Sequence, residues 1–189
     1  MSAITRLTLI THAITDAVQA ARFPADEPLN ALGHRSVERS EGLPDTTRPE
    51  LVTLGPEARV TETAAALDLP GDIDPALADL DCGRWAGAGM DSIPAADLTA
   101  WLTEPEFHGH GGESLVDLIA RVRDWLDRTA REPRRVVAVT HPAIVRATVL
   151  TALDSPPKSF WRLDIPPLSA TTLHHRGGAW TVRGTGHPL

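Results

Sequence analysis

Two short apolar runs in this chain stop in the same way, and no other feature narrows the fold as much. Leu7-Thr8-Leu9-Ile10 ends in Thr11-His12-Ala13, and Val136-Val137-Ala138-Val139 ends in Thr140-His141-Pro142. A continuous apolar run suits a strand buried on both faces, the habit of parallel strands covered by helices. In open α/β sheets ligands sit outside the carboxyl ends of such strands. Two of these strands side by side would bring His12 and His141 together at that edge. A lone histidine there reads most simply as a core residue with both nitrogens satisfied. Two at matching strand ends require a second coincidence. A pair of imidazoles at a sheet edge suits a metal or an anion. A neutral imidazole is also a nucleophile when a backbone carbonyl holds its other nitrogen.

Helices and strands alternate through the rest of the chain. Leu29 to about Ser40 reads as a helix weakened by Gly33, Asp45 to Pro49 as a turn, and Glu50-Leu51-Val52-Thr53-Leu54 as a strand. A helix is expected to start at Pro56, because proline's missing donor would be an orphan at the first helical position. Ser114 with Asp117 has the capping-box pattern, and Leu115, Leu118, Ile119, Val122, Trp125 and Leu126 recur at helical spacing until Pro133. Another helix begins at Pro142, and Ser169–Leu173 with Ala179–Arg183 read as a hairpin around Gly177-Gly178. Such alternation means an α/β protein, a three-layer sandwich with a mainly parallel central sheet flanked by helices. The 189 residues suit one domain. Residues 71–112 are rich in glycine and turn formers and are expected to form a lid over one end of the sheet. Lids are where water exclusion and substrate choice usually reside; the five tryptophans read as structural, with substrate contact an alternative for Trp85 within the lid.

Composition removes several function classes. A formal net charge of −7 argues against a phosphate-neutralising surface for nucleic acid. No segment approaches the roughly 18 apolar residues of a membrane span. The single cysteine, Cys82, excludes an internal disulfide and a multi-thiolate metal site. The first residues, with Arg6 as the only early charge, do not read as a signal peptide, so the cytoplasm is the default expectation. His108, His110 and Glu113 are metal-ligating types, but the intervening glycines fix no geometry and no fourth ligand is apparent. They read as a loop, and no cofactor or metal is expected.

Six segments in order, Leu7–Thr15, Gly55–Ala64, Leu77–Asp79, Gly83–Trp85, Gly112–Leu115 and Val139–His141, resemble the histidine phosphatase family, the phosphoglycerate-mutase-like proteins. The resemblance covers almost the whole chain. It implies a metal-free phosphohistidine mechanism. His12 matches the nucleophile, Arg59 the second phosphate-binding arginine, and His141 the second histidine that holds the phosphoryl oxygens. Asp79 falls where the acid protonates the leaving group and then activates water, and Arg22 lies near where relatives carry another substrate arginine. The chain departs from the family at its signature, where Arg-His-Gly becomes Thr11-His12-Ala13, and again at Ile14, Ala86, Pro142 and Ala143. Thr11, at the phosphate-binding position, can donate one hydrogen bond but carries no charge. Losing one preorganised donor costs about 2.7–4 kcal/mol, roughly 10²–10³ in rate, unless a group such as Arg84 or Arg22 replaces it.

The implied activity is hydrolysis of a small phosphorylated metabolite, rather than mutase chemistry, which needs a longer lid. The alternatives are a catalytically impaired relative that binds a phosphorylated ligand or partner, and a metal-dependent hydrolase using His108, His110 and a carboxylate. Oligomeric state stays open, a homodimer included.

Overall fold

In a computed structural model, which describes residues 4–43 and 47–189, the chain builds one six-stranded sheet. Its strands are β1 (Thr5–Thr11), β2 (Leu51–Leu54), β3 (Asp72–Ile73), β4 (Arg135–Thr140), β5 (Ser169–Arg176) and β6 (Ala179–Pro188). They lie in the order β3-β2-β4-β1-β5-β6. The first four of that order are parallel, and the β5–β6 hairpin adds antiparallel to β1. The helices are α1 (Asp16–Gln19), α2 (Ala31–Glu38), α3 (Ala58–Ala66), α4 (Ala95–Thr103), α5 (Leu115–Ala130) and α6 (Pro142–Ala152). Among the described residues no helix is long and apolar enough to cross a membrane.

The period-two alternation of β1 and β4 divides their side chains between two helical layers. Leu7, Leu9, Val136 and Ala138 join Leu118, Val122, Trp125 and Leu126 of α5 and Ile144 of α6. Ile10, Val137 and Val139 face the other way, onto Val60 and Ala64 of α3. The expected three layers follow directly, with α5 and α6 on one face and α3 on the other. Ser114 Oγ accepts from the Asp117 backbone N–H at 3.1 Å, so the cap expected for α5 is formed.

The register that matters most is Thr11↔Thr140 in the parallel pair β1–β4. One residue further, the backbone N–H of His12 donates to Thr140 O at 2.9 Å. Both threonine hydroxyls work as bolts. Thr11 Oγ1 donates to Pro166 O at 2.7 Å and accepts from Ser169 N at 3.0 Å, while Thr140 Oγ1 donates to Leu77 O at 2.9 Å.

Several local expectations are corrected. The helix after β2 begins at Ala58, not Pro56, because Glu57 is extended with ψ 149°. Gly33 is no weak point in α2, since a Cβ there would collide with the Ile14 carbonyl oxygen. Asp72–Ile73, inside the segment expected to form the lid, pair with β2 at the sheet edge. The turn expected at Asp45–Pro49 lies partly outside the described residues.

Candidate active site

His12 and His141 emerge level from adjacent strands, with ring centroids 5.3 Å apart. His12 lines a cleft of about 180 Å³ together with the charged residues Arg22, Glu27, Arg59, Asp79 and Arg146. Apolar groups, among them Phe23, Met90, Trp101 and Trp161, line the rest.

His12 Nδ1 lies 2.7 Å from its neighbour's carbonyl, Ala13 O. A carbonyl only accepts, so Nδ1 carries the proton and Nε2 keeps its lone pair. Burial, and then the charges of His141 and Arg59, push the His12 pKa down to about 3. The imidazole is therefore neutral at pH 7, as a nitrogen nucleophile must be.

Arg59 comes from the first turn of α3 and is fully buried. Its Nη1 donates to Ala25 O at 2.6 Å and its Nη2 to Asp79 Oδ2 at 2.8 Å, while its buried Nε has no protein partner. The same turn of helix is tied to the end of β1, because the Ala13 N–H donates to Thr63 Oγ1 at 3.0 Å. Asp79 follows a short 3₁₀ turn at Pro75–Leu77, and its Oδ2 lies 3.3 Å from His141 Nδ1. Burial pushes the Asp79 carboxyl up, but the charges of His141 and Arg59 outweigh it and hold it below the usual range. Pro142 and Ala143, the first two residues of α6, also line the cleft, so a helix N-terminus abuts it. That end favours anions, and proline costs little at a position whose donor would be unused.

The structure thus brings together five of the six expected residues: His12, Asp79 and His141 with Arg59 and Arg22. Thr11 is the exception. Successive side chains on a strand point to opposite faces, so Thr11 is buried away from His12 and its hydroxyl serves the Pro166–Ser169 turn. Trp85 is buried among Phe23, Trp101, Phe107 and His110, in the structural role expected of it, and Trp101 and Trp161 line the cleft. Asp81 is a turn carboxylate that accepts from Gly83 N at 2.8 Å. Glu113 is engaged by Arg121 at 2.7 Å, and His110 Nδ1 accepts from Gly112 N at 2.9 Å.

Two site residues escaped the sequence reading. Arg146 lies one helical turn beyond Pro142, with Nε donating to Leu163 O at 2.8 Å and its guanidinium 5.8 and 5.7 Å from the ring centroids of Phe160 and Trp161. Its signal was the four-residue spacing that puts it above Pro142 on one helix face. Glu57 accepts from His141 Nε2 at 2.7 Å. No local signal marks it, because the contact depends on β2 and β4 being neighbours.

Comparison with known proteins identifies the family. The model of the histidine phosphatase superfamily (branch 1) matches residues 7–187, and the chain belongs to that superfamily. A Mycobacterium tuberculosis protein named as bifunctional is 30% identical over 95% of this chain, which spans only 53% of that relative. The glucosyl-3-phosphoglycerate phosphatase of the same species is 28% identical over 80% of this chain and 76% of its own length. Among solved structures, a mycobacterial glucosyl-3-phosphoglycerate phosphatase with VO3 superposes with a TM-score of 0.85 at 25% identity, covering 97% of this chain and 99% of that one. A protein described as mycobacterial hydrolase 1 has the same TM-score at 26% identity, covering 98% and 100%.

Proposed function

We propose that this protein hydrolyses a small phosphorylated metabolite through a phosphohistidine formed on His12, without a metal. One observation carries the reading: the bond to Ala13 O leaves His12 Nε2 unprotonated in a cleft that also holds Arg59 and Asp79. Three arginines, Arg22, Arg59 and Arg146, line that cleft and suit an anion rather than a cation.

The chemistry follows from these positions. His12 Nε2 attacks phosphorus as the bond to the ester oxygen breaks. Asp79 gives its proton to that oxygen, and Arg59 and His141 hold the equatorial oxygens where charge develops. Water then attacks the phosphohistidine, Asp79 takes the water's proton, and phosphate leaves with His12 restored. Asp79 is held ionised by the charges of His141 and Arg59. A phosphate anion placed against Arg59 and His141 offsets the charges that hold it so, which favours the proton an acid needs.

We treat the chain as a single domain with a lid at about residues 71–112, several of which line the cleft. Relatives named for glucosyl-3-phosphoglycerate support a phosphorylated metabolite as the substrate class. The test is p-nitrophenyl phosphate hydrolysis, with and without chelator, by wild type, His12→Ala and His141→Ala. Activity that resists chelator and disappears in both variants supports the reading; full activity in His12→Ala overturns it. A second reading, binding of a phosphorylated ligand without turnover, rests on Thr11, whose hydroxyl is committed to the fold. Measurable turnover that depends on His12 removes it.

A further inference from the structure

One carboxylate in the site has no part in the steps above. Glu57 is not among the residues that line the cleft, and its carboxylate lies against His141. Its Oε2 lies 2.7 Å from His141 Nε2, and its Oε1 accepts from the backbone N–H of Asp79 at 2.9 Å. A single side chain therefore touches both groups that flank the nucleophile. The local chain is shaped around this contact. Glu57 is extended and delays α3. Gly55 lies against the pair, where a Cβ would stand 3.2 Å from both Glu57 Oε2 and His141 Nε2 and 2.8 Å from Leu77 O.

The other nitrogen of His141 completes the argument. Nδ1 is buried, has no hydrogen-bond partner in the protein, and sits 3.3 Å from Asp79 Oδ2. An ionised carboxylate only accepts hydrogen bonds. The contact with Glu57 thus requires a proton on Nε2, and Nδ1 then faces a second acceptor. An imidazole between two acceptors is satisfied only when both nitrogens carry protons. The groups that face it are Glu57, which precedes α3, Asp79, which follows the 3₁₀ turn at Pro75–Leu77, and His12, from the end of β1, with Arg59 beyond Asp79.

We infer that Glu57 is a positioning residue that holds His141 as a two-proton donor, so that Nδ1–H is presented to the phosphoryl oxygens. The inference rests on the phosphohistidine reading. With only Nε2 protonated, His141 would turn a lone pair toward those oxygens and repel them. The negative charge of Glu57 decides between the two states. Its bond to the Asp79 N–H fixes the acid at a set distance from that donor.

The test compares wild type, Glu57→Gln and Glu57→Asp, with His12→Ala as reference. Hydrolysis of p-nitrophenyl phosphate is followed against pH, and orthovanadate binding by tryptophan fluorescence, since Trp101 and Trp161 line the cleft. Glu57→Gln keeps the shape and an accepting oxygen but loses the charge. It is expected to lower kcat roughly 10- to 100-fold with KM within about threefold, to move the alkaline limit of kcat down by about one pH unit, and to weaken orthovanadate binding about tenfold. Glu57→Asp is expected to recover the alkaline limit in part. Superimposable pH profiles with unchanged orthovanadate affinity overturn the inference, and so does a loss that tracks melting temperature alone. If His12→Ala is inactive and Glu57→Gln is unaffected, only this inference falls. If His12→Ala is fully active, the phosphohistidine reading falls first and the inference with it. Where turnover is slow, orthovanadate affinity decides.

Discussion

His12 and His141 end adjacent strands at the same level, each after a threonine, yet their environments assign them opposite work. The second nitrogen of His12 is held by a neutral backbone carbonyl, and the ring is kept uncharged. That of His141 is held by a carboxylate. An uncharged imidazole with a free lone pair is a nucleophile, whereas one that donates from both nitrogens binds an anion. The difference teaches that the partner of the nitrogen away from the cleft, more than position on the sheet, sets what each histidine can do.

The largest effect should come from deleting the proposed nucleophile. His12→Ala should cut turnover roughly 10⁴-fold or more, and a steady-state assay checks it; a small loss would erase the distinction between the two histidines. Asp79→Asn should follow, with a loss of about 10²–10⁴ in kcat on an alkyl phosphate. The loss should be smaller on p-nitrophenyl phosphate, whose leaving group needs little protonation, and the ratio of the two substrates measures the acid role. Arg59→Lys keeps the charge but not the planar fork, so phosphate affinity should weaken about tenfold or more, as read by competitive inhibition.

A stability measurement sharpens the same contrast. The folded state holds His12 at about 3 against an ordinary 6.5, chiefly through burial, so it refuses a proton that the unfolded chain accepts. That penalty is absent above the unfolded value and grows as pH falls below it, by roughly 1.4 kcal/mol per pH unit. Glu57 and Asp79, whose carboxyls are held low, contribute stability that is lost only at more acid pH. Denaturant titrations of wild type and His12→Asn between about pH 6.5 and 4.5 should therefore diverge by about 2–3 kcal/mol in favour of the variant. Parallel curves would contradict a neutral His12. The smallest expected effect is that of Thr11→Val, about 1–2 kcal/mol of stability with KM unchanged, because its hydroxyl bolts the Pro166–Ser169 turn and does not touch the cleft. A Thr11→Arg chain should bind phosphate no better and melt earlier, since that side chain enters a fully buried site.

The paired Thr-His strand ends were legible because the alternation of buried side chains and the abrupt polar stops are local properties. They led correctly to the juxtaposition of His12 and His141. The placement of Thr11 was legible in principle too, since the residue before His12 faces the other side of the strand. The motif position obscured that. Glu57 and the delayed start of α3 were not legible. Both depend on β2 lying beside β4, which sets the Glu57 carboxylate against His141 across a sequence separation of 84 residues. Arg146 had its helical spacing, but nothing in the chain says which face of α6 meets the cleft. Gly33 was misread because propensity is local, whereas the approach of the Ile14 carbonyl is tertiary.

The most direct test of the central claim is to trap the intermediate. The protein would be mixed with p-nitrophenyl phosphate, quenched in alkali, which preserves phosphoramidates, and its peptides analysed by mass spectrometry. The account predicts one acid-labile phosphoryl group, on His12, absent from His12→Ala and accumulating in Asp79→Asn. Turnover without any phosphorylated peptide, or with the label on His141 or on a carboxylate, would contradict it.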